Sequence, residues 1–143
     1  MSSIICATRG GEACRRTQEK AVALAKEQGA ELTFLYVADS SFVGPVDKSL
    51  ADAVTDEMAR LGRALLRVAQ LRARDQGLAA QTVVLQGPVQ QSIKDHLRQV
   101  EASTLVIGAP RTGTPPQTFT PPEIQRFAQA MRQDLDIEVL VVT

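Results

Sequence analysis

The sequence predicts an α/β fold, an open parallel sheet with helices on both faces. Two observations carry that expectation. Short apolar runs alternate along the chain with longer runs of helical period. The clearest short run, LTFLYV at Leu32–Val37, is continuously apolar after Thr33 rather than alternating. Such a run suits a strand covered on both faces, as parallel sheets require.

The elements follow in order. Ile4–Ala7 is a short buried strand that stops at the turn Thr8-Arg9-Gly10-Gly11. From Glu12 to Gln28, Cys14, Thr17, Ala21, Leu24 and Ala25 recur at helical spacing, and Gly29 suits the end of that helix. After the strand at Leu32–Val37, a loop over 38–46 holds Gly44-Pro45. The longest helix is expected from Asp47 to Gln76. Its apolar stripe of Leu50, Val54, Met58, Leu61, Leu65 and Val68 is expected to face the sheet. The alternative, a coiled-coil seam, would need more sustained heptads. Gly77 ends the helix, Gln81–Leu85 forms the third strand, and Gly87-Pro88 makes a turn. Val89–Glu101 is the third helix, with Ile93, Leu97 and Val100 inward. Thr104–Ile107 is the fourth strand and runs into Gly108. A loop rich in Pro and Thr leads to a fourth helix at Pro121–Gln133, with Ile124, Phe127 and Met131 on one face. Glu138–Val142 (EVLVV) is the last strand. Alternation of this kind implies right-handed crossovers and a parallel sheet. Ligands of such sheets bind beyond the carboxyl ends of the strands, where the strand order reverses.

Composition narrows the function. The 143 residues make one domain, 1–143, long enough to bury a core without disulfides or metals. Sixteen basic and sixteen acidic residues cancel, which gives no general attraction to nucleic acid or an anionic membrane. Aromatic residues are 3% of the chain and Trp is absent, which argues against a stacking platform for single strands. Cys6 and Cys14 match neither a redox motif nor a zinc site, and are expected to be buried. No signal peptide or membrane-length apolar run is present, so a cytoplasmic location is expected. His96 lies between Ile93 and Leu97 and reads as a boundary residue rather than a catalytic base. Asp134 and Asp136 read as solvated loop residues. There is no nucleophile elbow, complete P-loop or His-rich metal pattern, so no catalytic set emerges.

The opening IICATRGGEACRRTQEKAVALAKEQGAELTFLYVAD, the QGPVQQSI segment, TLVIGAP and EVLVVT together resemble the universal stress protein family over nearly the whole chain. The resemblance implies a five-stranded parallel sheet in the order 3-2-1-4-5. It also implies a homodimer through the last strand (Val139, Leu140, Val141 and Val142), since an apolar edge invites pairing with a second copy. Some members of the family bind ATP or AMP between strands 1 and 4. By that resemblance Ala7, Thr8, Arg9, Val37, Gly108, Arg111 and Gly113 stand at the nucleotide or anion site.

The motif of the binding members is altered here. The acidic residue after strand 1 is replaced by Arg9. The loop after strand 4 keeps Gly108, but Arg111 stands where a second glycine belongs, and Gly113 does not restore the spacing. Counted forward, Pro121-Pro122 replace the final Gly-Ser pair; counted back from the last strand, Gln125-Arg126 fall there. A phosphate loop works through backbone N–H groups and close approach, which proline and side-chain-bearing residues oppose. Thr120-Pro121-Pro122-Glu123 reads instead as a self-capped helix start. The expectation is a non-enzymatic regulatory or stress-response protein that needs no cofactor. It would not bind ATP in the family manner, and would act through an unidentified protein partner or small ligand. In the alternative, Arg9 and Arg111, with Thr8, Thr112 and Thr114, hold ATP, AMP or another anion through side chains.

Overall fold

A computed structural model describes residues 2–8, 12–40, 44–108 and 121–142. The chain runs β1 (Ser3–Ala7), α1 (Glu12–Gln28), β2 (Glu31–Ala38), α2 (Lys48–Asp75), β3 (Ala80–Gln86), α3 (Val89–Gln99), β4 (Thr104–Gly108), α4 (Pro121–Leu135) and β5 (Glu138–Val142). The five strands form one parallel sheet in the order β3-β2-β1-β4-β5. Alternate residues of the central strands feed two cores, one on each face. Ile4, Cys6, Leu32, Phe34 and Tyr36 pack with α1 and α2. Ile5, Leu35, Leu105 and Ile107 pack with α3 and α4. The continuous apolar run of β2 is buried as expected, and Cys6 is fully buried. The side chain of Cys14 lies outside the described residues.

The helix ends have local causes. Asp47 caps α2 by accepting a hydrogen bond from the N–H of Leu50 at 2.9 Å. At the other end of three helices a backbone N–H reaches back five residues, a Schellman closure. The pairs are Ala30 to Ala25, Leu78 to Ala73 and Ala102 to Leu97. The turn needs a left-handed residue, and Gly29 and Gly77 supply it at the first two ends. At the third, Glu101 adopts a φ of 53°. This shortens α3 by two residues from its expected end, and Val100 lies outside it, 40% exposed rather than inward.

The buried face of α2 is also not the expected one. Leu50, Leu61 and Val68 are exposed, and Met58 and Leu65 are half-buried. The helix docks through Ala59, Gly62, Leu66, Ala69 and Ala73. Small residues are required because large side chains rise from the sheet beneath. The Tyr36 ring lies so close to Gly62 that a Cβ there would stand 2.7 Å from Cε1 and 2.8 Å from Cγ. On the opposite face, α3 and α4 are joined by Lys94 Nζ and Asp134 Oδ2 at 2.9 Å. Asp134 is therefore a helix residue with a partner, not a solvated loop residue. The loop before β5 holds Asp136, at a φ of 54°. Among the described residues no helix is long and apolar enough to cross a membrane.

Candidate functional site

The strand order reverses between β1 and β4. From β1 the chain passes to α1 on one face, and from β4 to α4 on the other. Both helices begin at the carboxyl edge of the sheet, which leaves a crevice between the two strand ends. Four of the expected site residues lie along this edge. Ala7 pairs with Leu35 on one side and Ile107 on the other. Thr8 follows it and donates its N–H to the Leu35 carbonyl at 2.8 Å. Val37 lies two residues further along β2, half-buried, and Gly108 ends β4 opposite Val142. Arg9, Arg111 and Gly113 lie outside the described residues, as do Thr112, Thr114 and Thr120.

Gly108 has a packing role that the sequence did not reveal. A Cβ at this position would stand 2.7 Å from Thr17 Oγ1. Thr17 is itself 3% exposed and is carried by α1 against the end of β4. The next residue, Gln18, is 5% exposed. Its Nε2 donates to Thr8 Oγ1 at 3.1 Å, which ties α1 to the end of β1. Its Oε1 is buried and accepts no hydrogen bond from any described residue. Neither Thr17 nor Gln18 was among the expected site residues. A signal existed: Gln18 stands three, four and seven residues before Ala21, Val22 and Ala25, all buried. A carboxamide at such a position has to be satisfied or used.

At the far side of the crevice α4 begins at Pro121. Residues 121 and 122 are both proline, so the first two helical positions offer no N–H to an anion. Glu123 adds a carboxylate in the first turn, where it complements the helix dipole. His96, on α3, is half-buried, and burial holds its imidazole below the usual 6.5. Among the described residues no three His, Cys, Asp or Glu side chains are grouped to hold a metal ion.

The family model described as "Universal stress protein family" matches residues 1–143. The chain belongs to that family. Among relatives of this universal stress protein, Universal stress protein YxiE of Bacillus subtilis (strain 168) is 28% identical over 116 residues, covering 76% of this chain and 78% of its own. Universal stress protein UspA from Lactobacillus plantarum superposes with a TM-score of 0.78 at 20% identity, over 99% of this chain and 97% of that one. A universal stress protein solved in complex with cAMP superposes at 0.70 with 19% identity, over 99% and 97%. At these identities the two structures support the fold alone. The observed strand order is the one that the resemblance implied.

Proposed function

We propose that this universal stress protein is a non-enzymatic regulatory protein of the stress response that does not hold ATP through a glycine-rich phosphate loop. The observation that carries the reading is the start of α4. Two successive prolines and a first-turn glutamate occupy the helix end nearest the crevice, where backbone donors would have to meet phosphate. The glycine at 108 supports it, since close packing against Thr17 accounts for that residue without a ligand. The protein acts in the cytoplasm through protein contacts or a small ligand, as a dimer joined along β5. That strand lies at the sheet edge, and Leu140, Val141 and Val142 are only half-buried.

A second reading is favoured by the relative that holds cAMP. In it, Arg9 and Arg111 grip the phosphate of a nucleotide such as ATP or AMP through their side chains, beside Ala7, Thr8, Val37, Gly108 and Gly113. Calorimetry with ATP, ADP and AMP, with and without magnesium, separates the two. The first reading expects no micromolar binding. Micromolar binding that disappears in Arg111→Ala overturns it in favour of the second. Turnover of any nucleotide above a buffer control overturns the non-enzymatic assignment.

A further inference from the structure

Much of the apolar stripe that periodicity picks out on α2 does not meet the sheet. Leu50, Leu61, Val68 and Leu71 are exposed, Leu61 by 55%, and Val54 is half-buried. At about 100° per residue these five fall within about 100° of arc, along about 30 Å of helix axis. They point away from the face that docks through Ala59, Gly62 and Leu66. The outward face of a surface helix is ordinarily polar, and a contiguous apolar strip there marks a contact surface. The spacing is that of paired helices. Val54, Leu61 and Val68 repeat at seven residues, and Leu50, Ala64 and Leu71 supply the second heptad position, interrupted once by Glu57.

The charges on α2 indicate what this strip fits. Between 47 and 57 four acids stand against one lysine, and between 60 and 75 five arginines stand against one aspartate. The helix dipole accounts for charge only in the first and last turns, and Asp56, Glu57, Arg60, Arg63 and Arg67 lie between those turns. We propose that α2 pairs antiparallel with α2 of a second copy of this chain across the strip. A two-fold axis beside Leu61 sets Leu61 on its counterpart, Val54 on Val68 and Leu50 near Leu71, because the strip reads almost the same in both directions. The same axis brings the acidic half of each helix level with the basic half of the other, Asp56 with Arg67. A parallel pair would set like charges side by side. Arg60, nearest the axis, already lies 3.8 Å from Glu57 of its own helix, which offsets the approach of the two Arg60 side chains. Arg67 donates to Gln70 Oε1 at 2.6 Å and keeps further N–H groups for a partner. Rim charges of this kind set orientation, and the apolar strip supplies the affinity. α2 lies over β2 and β3, at the opposite end of the sheet from β5. This contact therefore neither needs nor blocks pairing through the last strand.

The test is sedimentation equilibrium on the full chain at about 100 μM, far above a micromolar dissociation constant. Leu61→Asp sets two carboxylates at the axis and should at least halve the mass, with the thermal transition kept because position 61 is exposed. Orientation is read by disulfide formation under mild oxidation, with the unsubstituted protein as the reference for Cys6 and Cys14. Leu61→Cys should link two copies. Leu50→Cys should not, since an antiparallel pair parts its two cysteines by about 30 Å and a disulfide needs Cα atoms within about 7 Å. That comparison stands even if Leu61→Asp fails to fold. The proposal is overturned if Leu61→Asp leaves the mass unchanged with the fold intact. It is also overturned if Leu50→Cys links as readily as Leu61→Cys, the result of a parallel pair or of random collision. If the mass holds and Leu61→Asp instead abolishes co-sedimentation with phosphatidylglycerol vesicles, the strip belongs to a membrane surface and the proposal falls.

Discussion

Replacing Gly108 by alanine separates a packing glycine from a ligand glycine. The new Cβ would stand 2.7 Å from Thr17 Oγ1, 3.7 Å from its Cβ and 3.9 Å from its Cγ2. One of the two rotations open to Thr17 only exchanges the hydroxyl for a methyl, because both branches spring from one carbon, and a side chain 3% exposed has little room for the other. Overpacking of this kind costs about 1–3 kcal/mol. Alanine returns about 0.4–1 kcal/mol by restricting the unfolded chain. The net loss should therefore be about 0.5–2 kcal/mol. For a chain of this length, 1 kcal/mol corresponds to about 3 °C in Tm. Urea unfolding followed by circular dichroism measures the loss directly. In a Thr17→Ala background the same substitution should lose at least about 1 kcal/mol less, since the obstructing atom is gone. If Gly108→Ala is as stable as the starting protein, or loses equally in both backgrounds, the packing explanation is wrong. The glycine would then be a matter of ligand approach or backbone freedom.

Three further outcomes are expected. Glu101→Gly should raise stability by about 1 kcal/mol in the same urea assay, because the left-handed turn after α3 no longer carries a Cβ; an unchanged midpoint would mean that the glutamate side chain offsets the strain. His96 binds its proton less readily when folded than when unfolded, so its contribution is complete above pH 6.5 and is lost as pH falls from there through the lowered folded value. His96→Gln should flatten the pH dependence of stability in that window, and parallel profiles for the two proteins would contradict the assignment. Leu140→Asp should halve the mass seen by sedimentation if β5 joins two copies; an unchanged mass with an intact thermal transition would refute the edge-strand dimer. The thermal control is needed because Leu140 also packs on the α1/α2 core.

The sheet was legible because its signals are local and repeat. Glu12–Gln28 and Glu138–Val142 have the observed bounds, and the other elements differ by a few residues at their ends. The orientation of α2 was not legible, for a physical reason. Periodicity weighs side chains by their apolar size, which selects Leu50, Val54, Met58, Leu61, Leu65 and Val68. Docking depends on how near the helix must come to the sheet, and Tyr36 and Phe34 already fill that space. The contact consequently falls to Ala59, Gly62, Ala69 and Ala73, with Leu66 among them. Of the candidate site, only positions on the sheet edge were legible. Ala7, Thr8, Val37 and Gly108 follow from topology and share one edge. Thr17 and Gln18 act there through α1, and their roles depend on which residues that helix presses against β1 and β4.

The seat of Tyr36 on Gly62 also has a spectroscopic consequence. This chain has one tyrosine and no tryptophan. Its long-wavelength ultraviolet emission therefore originates from a single ring, held between β2 and α2. Any event that lifts α2 from the sheet lets water or a quencher reach that ring, whereas motion elsewhere leaves it dark to the solvent. The protein thus carries a built-in optical gauge of one helix–sheet joint, and needs no attached dye to report it.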